Sequence, residues 1–402
     1  MEISKRGGLL PPSPIRKLKP FADAALAKGK RIYRLNIGQP DIETPAEMRS
    51  VLKSIDKKVI GYGPSQGLAE YRDALIRYYG FHNIALKQKD IIVTTGGSEA
   101  ITMAFTVCCD PGDEVLVPEP FYTNYNGFSI AAGVRLRPIT TTMETNWQLP
   151  SIEEIEDLIT PRTKAMMICN PNNPTGKVYG KDELRKLALL AKRHGLFLLG
   201  DEVYREFIFN NEKHVSLLDI EDVQDRVIVL DSISKRFSAC GLRIGAFISR
   251  NTDIMQAALA YAQARLCPPT IDQLVAVPSV DLGRAYFDKM VTEYRNRRDT
   301  VISGLKAMKD VEFQVPDGSF YIIVQLPIED AEAFVTWMLT SFDVDGETVM
   351  LAPASGFYST PGMGLNQVRI AFVLDVEKTK RAMEILGLGL EEYRRSKPES
   401  FR

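Results

Sequence analysis

Short apolar runs alternate with stretches whose apolar residues recur every three or four positions through most of this chain. Ile91 to Thr94, Glu114 to Val117, Ala165 to Cys169, Leu196 to Leu199, Val227 to Leu230 and Ile244 to Ile248 predict strands, being too short for buried helices. Lys181 to His194 predicts an amphipathic helix, with Gly195 placed to stop it. Strands that are apolar throughout and separated by helices predict a mostly parallel sheet covered on both faces. Ligands of such sheets gather beyond the carboxyl ends of the strands. Ahead of this region, a proline-punctuated arm carries a helical pattern over Phe21 to Lys28 and a strand over Arg31 to Leu35. Behind it come a long helix from about Asp281 to Met308, strands around Phe313 to Val324, a helix near Ala331 to Leu339, a strand over Gln367 to Val373 and a final helix from Val376. That order predicts a smaller α+β unit. No internal repeat interrupts the pattern.

Composition narrows the picture to a soluble, globular, two-domain protein. The chain has 402 residues, 45% hydrophobic and 25% charged, enough to bury a large core. Fifty basic residues against fifty-one acidic ones give no field that would draw in nucleic acid or an anionic membrane. The five cysteines, two of them adjacent at Cys108 and Cys109, show neither a disulfide framework nor metal-ligand spacing. No apolar run of about 18 residues occurs, and the N-terminus, charged and then broken by Pro11, Pro12 and Pro14, has no export segment. A cytoplasmic protein acting on small molecules, without metal, is the expectation.

Four strand ends carry candidate chemistry. After Val227 to Leu230 comes Asp231-Ser232-Ile233-Ser234-Lys235, followed by Arg243. Hydroxyls and a guanidinium grip phosphate oxygens and an amine condenses with a carbonyl, so this segment suits a phosphorylated aldehyde. Thr95-Gly96-Gly97-Ser98 leads from a strand into a helix, whose exposed amides and dipole suit a phosphate, although Ser98 also suits a helix cap. Asn170-Pro171-Asn172-Asn173-Pro174-Thr175-Gly176 is either a rigid turn or a loop presenting Asn173 to an oxygen. Asp201, at the end of a very apolar strand and followed by Glu202-Val203-Tyr204, needs a partner if buried.

Taken in order, Asn36-Ile37-Gly38-Gln39-Pro40-Asp41, Tyr62-Gly63, the Gly97-Ser98 turn, Pro120-Phe121-Tyr122, Asn172-Asn173-Pro174-Thr175-Gly176, Asp201-Glu202-Val203-Tyr204, Ser232 through Arg243, and Arg369 resemble the class I aminotransferases of fold type I, closest to bacterial aspartate aminotransferases. The resemblance covers nearly the whole chain. It implies an arm over residues 1–45 packing with the small domain, a large domain over 46–283 with a mostly parallel seven-stranded sheet, and a small α+β domain over 284–402. It implies pyridoxal 5'-phosphate (PLP) as cofactor, held by Lys235 as a Schiff base, with Lys235 also moving the substrate proton. Asp201 would face the pyridine nitrogen, Asn173 and Tyr204 the ring oxygen, and Tyr122 the ring face. Gly97, Ser98, Ser232 and Arg243 would grip the phosphate, with Tyr62 supplied by the neighbouring subunit of a homodimer. Substrate would meet Gly38, Tyr122, Asn173 and Arg369.

Arg369 is the only basic residue on an apolar strand, placed either to clamp the substrate α-carboxylate or to form an internal salt bridge. The implied reaction moves the amino group of an L-amino acid, aspartate first, to 2-oxoglutarate. Donors of another kind, a C–S lyase of the same fold, and a non-catalytic PLP sensor are the alternatives. An aspartate enzyme needs a second cation. Ser98 stands where some relatives have lysine, leaving Arg265 or Arg16 as candidates. His82, His194 and His214 read as surface or helix-end residues, and Arg295-Asn296-Arg297-Arg298 as a solvated helix face.

Overall fold

The computed structural model describes residues 2–210 and 212–396. Its largest sheet has seven strands in the spatial order Ile91–Thr95, Ile244–Ile248, Val227–Ser232, Phe197–Asp201, Thr163–Cys169, Glu114–Glu119 and Arg135–Thr140. Ile244–Ile248 runs antiparallel to both neighbours, and all other pairings are parallel. Side chains alternate between two apolar layers. Val227 and Val229 face one core with Met166 and Ile168, while Ile228 and Leu230 face the other with Ala165 and Met167. Helices cover both faces, which is why these strands read as continuous apolar runs.

The helix Lys181–Arg193 places Leu184, Leu187, Ala188 and Ala191 on the first layer. Glu183 accepts from the Gly180 amide at 2.9 Å at its start, and Gly195, at φ 66°, turns the chain at its end. Gly96–Cys108 covers the opposite layer through Ala100, Ile101, Ala104 and Phe105.

A second, antiparallel sheet joins Ala352–Pro353, Gln367–Ala371, Tyr321–Gln325 and Glu312–Phe313. Its core also takes in Leu18, Ala22 and Leu35 from the first part of the chain, and Val301, Leu305, Ile385 and Leu386 from the helices Gly283–Lys306 and Val376–Ser396. Arg31–Arg34 pairs in parallel with Glu347–Met350. The stretch read as a solvated arginine face is corrected here. Arg297 is buried at 4% exposure, paired with Asp41 at 2.6 Å and Glu293 at 2.7 Å, and also donates to the Val373 carbonyl. Besides Glu293 on its own helix, its partners Asp41 and Val373 come from opposite ends of the chain, so helix periodicity alone could not place it inside.

Candidate active site

The strand Val227–Ser232 ends in a turn that carries Lys235. Its Nζ donates to the Gly38 carbonyl at 2.8 Å and lies 3.9 Å from Cys240 Sγ. Burial holds the amine below the ordinary lysine value, while the neighbouring Cys240 and Asp201 oppose that and the guanidiniums of Arg369 and Arg243 reinforce it.

One strand over, Phe197–Asp201 delivers Asp201, 5% exposed, to the same end of the sheet. Asp201 Oδ2 accepts from Tyr125 Oη at 2.5 Å, and Oδ1 from the Val203 amide at 3.4 Å. Burial pushes its carboxyl up to about 6 despite these donors. Such a carboxyl is short of positive charge, as a partner for a ring nitrogen should be.

The donors for an anion collect at the start of the Gly96–Cys108 helix. Ser98 lies within that helix, so the cap reading fails; Thr95 occupies the cap position. Gly96 has φ +73°, and an added Cβ would sit 2.4 Å from Arg243 Nη2, so the guanidinium lies directly on the glycine turn. An added Cβ on Gly97 would lie 3.7 Å from Ser232 Cβ, placing the two side by side. Ser232 Oγ lies 2.8 Å from Ser234 Oγ and 3.0 Å from the Ile244 carbonyl oxygen, and Arg243 Nη1 donates to the Cys240 carbonyl at 3.1 Å. An amine, a carboxylate short of a cation, and a helix start ringed by hydroxyls and a guanidinium fit PLP at its aldehyde, ring nitrogen and phosphate.

Arg369, on the strand Gln367–Ala371, borders the site that holds Lys235. It is 1% exposed, Nη2 donates to the Asn36 carbonyl at 2.6 Å and Nη1 to Asn173 Oδ1 at 3.1 Å, and Nε is buried without a partner. Its guanidinium lies 4.3 Å from the Tyr321 ring centroid and 5.0 Å from that of Phe357. Among the described residues it forms no ion pair, which removes the internal salt-bridge reading. Tyr122 Oη accepts from Asn124 Nδ2 at 2.7 Å. Burial raises the Tyr122 phenol, with Asp201 adding to the rise and Arg369 and Arg243 opposing it, so it stands among all three.

Sequence reasoning missed two tyrosines. Tyr125 is the donor to Asp201, one helical turn beyond Tyr122. Tyr321 lies 3.0 Å from Tyr204, hydroxyl to hydroxyl, and its ring underlies Arg369; an added Cβ on Gly38 would meet its Oη at 1.7 Å. Tyr321 opposes Ala371 on the strand carrying Arg369, two positions along and thus on the same face, a signal available only once the pairing is known. Tyr62 is 83% exposed and faces solvent in the single chain.

Arg265 is not free to serve as a second clamp. It pairs with Glu99 at 2.8 Å and donates to the carbonyls of Val93 at 2.7 Å and Ser65 at 3.2 Å. Arg16 is exposed. His194 caps a helix end beside Glu156, as its position suggested, but the His214 side chain is buried, with Nε2 3.1 Å from the Asn170 carbonyl. Glu202 turns away from Asp201 to accept from Ser216 Oγ at 2.8 Å and the Leu217 amide at 3.0 Å.

The model of the "Aminotransferase class I and II" family matches residues 30–386. An aspartate aminotransferase of Thermotoga maritima is 30% identical over 384 residues, 95% of this chain and 97% of that protein. An aromatic-amino-acid aminotransferase of Thermococcus litoralis is 30% identical over 397 residues, 98% of this chain and 99% of that protein. In structure, the Thermotoga maritima aspartate aminotransferase superposes with a TM-score of 0.88 at 29% identity, covering 97% of this chain and 100% of that one. An alanine aminotransferase of Pyrococcus furiosus gives 0.88 at 30% identity with the same coverage. The chain therefore belongs to the class I and II aminotransferases, PLP-dependent enzymes of fold type I.

Proposed function

We propose that this enzyme transfers the amino group of L-aspartate to 2-oxoglutarate in two half-reactions, the first oxo acid leaving before the second enters. The observation carrying this reading is Arg369, buried with no internal carboxylate and facing the site that holds Lys235 and Asp201. Bound at Lys235, PLP supplies an aldehyde for the amino group and a ring that draws electrons from the substrate α-carbon. The chain's residues do the rest. Arg369 offers a flat fork to the α-carboxylate and, with Asn173, orients it. Asp201 would favour positive charge on the ring nitrogen it meets. The amine of Lys235, held below the ordinary lysine value by burial, would serve as the base that takes the substrate α-proton and as the acid that gives it back on the cofactor side. Tyr122, Tyr321 and Phe357 exclude water around that transfer.

Aspartate is favoured by similarity to aspartate aminotransferases over nearly the full chain. A second reading, a donor without a distal carboxylate, is favoured by the engagement of Arg265 with Glu99 and by serine at position 98. Visible-absorbance titrations and rates with aspartate, tyrosine, alanine and cystathionine, each with and without 2-oxoglutarate, separate them. Aspartate should give the highest kcat/KM. A faster aromatic or aliphatic donor overturns the substrate assignment, and sustained turnover beyond one equivalent of enzyme without any oxo acid overturns transfer itself.

A homodimer belongs to the same proposal. Val59, Ile60 and Tyr62 are 81%, 67% and 83% exposed in the segment between the helices Ala46–Ser54 and Ala69–Phe81, an apolar stretch suited to a partner's site. Sedimentation should give twice the chain mass, and Tyr62→Phe should weaken PLP binding. All five cysteines are unpaired, which suits a reducing compartment such as the cytoplasm.

A further inference from the structure

Behind the turn that carries Lys235 lies a buried ion pair that the chemistry above does not use. Asp231 and Arg236 are each 1% exposed. Arg236 Nη1 reaches Asp231 Oδ1 at 2.6 Å and Nη2 reaches Oδ2 at 2.9 Å, two parallel bonds from one fork. The residues they bracket, Ser232 to Lys235, carry a phosphate-side hydroxyl and the reactive amine.

The pair also grips the main chain of that turn. Asp231 Oδ1 accepts from the Ser232 amide at 2.7 Å, and Arg236 Nη1 donates to the Ser232 carbonyl at 3.3 Å. Both faces of the residue that starts the turn are therefore held from within. From outside, Tyr286 Oη donates to the Arg236 carbonyl at 3.0 Å and Tyr79 Oη to Asp231 Oδ2 at 3.1 Å. The Arg236 guanidinium lies 4.2 Å from the Tyr78 ring centroid and 5.5 Å from that of Phe237, which fixes its plane.

We propose that Asp231 and Arg236 are positioning residues that set the register of the Ser232–Lys235 turn, so that the phosphate donors and the amine address one PLP molecule together. The proposal rests on the reading that Lys235 and Ser232 hold that cofactor. Stability does not call for the arrangement, because apolar residues of similar volume often replace a buried ion pair at no loss. A fork that holds both ends of a turn does what apolar side chains cannot, fixing one conformation through directed bonds. Lysine at 236 keeps the charge and loses the fork.

Arg236→Lys separates these roles. Folded protein should unfold at nearly the wild-type temperature, yet bind PLP about 10- to 100-fold more weakly, the size of loss typical of a partner that orients binding groups without touching the ligand. Its cofactor circular dichroism should weaken, and at saturating PLP kcat should fall while KM for the amino donor stays close to wild type, since Arg369 is untouched. The double variant Asp231→Leu/Arg236→Met should fold and show the same cofactor defects. Either folded variant with wild-type PLP affinity, dichroism and kcat overturns the proposal. Wild-type protein that yields no reduced cofactor peptide at Lys235 after borohydride would instead overturn the reading beneath it.

Discussion

Replacing Arg369 by lysine removes a planar fork from a site that offers it no internal carboxylate. In the structure two of its nitrogens are already directed by the Asn36 carbonyl at 2.6 Å and Asn173 Oδ1 at 3.1 Å, and Tyr321 and Phe357 hold the plane. A substrate carboxylate should therefore meet a group that needs little reorganisation. A lysine ammonium is a point charge and can direct one such bond where the fork directs two. Each charge-assisted hydrogen bond contributes about 1.5–3 kcal/mol, so losing one should lower kcat/KM about 10- to 150-fold. The loss should fall mainly on KM, equally for amino acids and oxo acids. PLP binding should be unchanged, because the phosphate donors lie around Gly96, Ser232 and Arg243. Initial rates over a matrix of donor and acceptor concentrations, with a separate PLP titration of the apoprotein, give both numbers. An unchanged KM, or an equal loss of cofactor affinity, would refute the clamp.

Two further outcomes follow from the site. Burial raises the Asp201 carboxyl from its ordinary 3.8 to about 6, so the apoprotein is most stable with this group protonated and loses that contribution as pH rises from about 4 through about 6. Asp201→Asn should thus stabilise the apoprotein by up to about 3 kcal/mol near pH 8 and by almost nothing near pH 4, read from urea unfolding at both pH values; an equal effect at the two would refute the assignment. Arg265→Met should lower thermal stability, by breaking the Glu99 pair and the bonds to Ser65 and Val93, while leaving the ratio of kcat/KM for aspartate and alanine unchanged. A fall in that ratio would restore Arg265 as a distal clamp.

The parts of this architecture that were legible in the sequence are those fixed by local periodicity. The central strands pack on both faces, so each shows as an apolar run, and the helix Lys181–Arg193 stops beside Gly195 as its pattern required. The edge strand Arg135–Thr140 escaped because it is only partly covered, with Arg135 and Thr140 exposed, so no apolar run is needed; the opposite edge, Ile91–Thr95, is buried and shows as one. Lys235, Asp201 and Arg369 could be found because each is a polar group ending or interrupting an apolar strand. Tyr125 and Tyr321 could not, since a buried tyrosine reads as core until its hydroxyl partner is known. The arginine at 265 misled for a related reason, its charge being visible and its partner, Glu99, not.

The pairing of Arg31–Arg34 with Glu347–Met350 has an evolutionary consequence. It brings Asn36 to Arg369 across 333 positions of sequence, joining the first and last parts of the chain through main-chain bonds. Two of the groups around the incoming acid, Asn36 and Arg369, thus come from the two extremities, whereas Asn173 and the groups around the vitamin come from the middle. Chimeras exchanging both extremities with a relative should keep their grip on the α-carboxylate, and those exchanging only one should lose it for every donor alike.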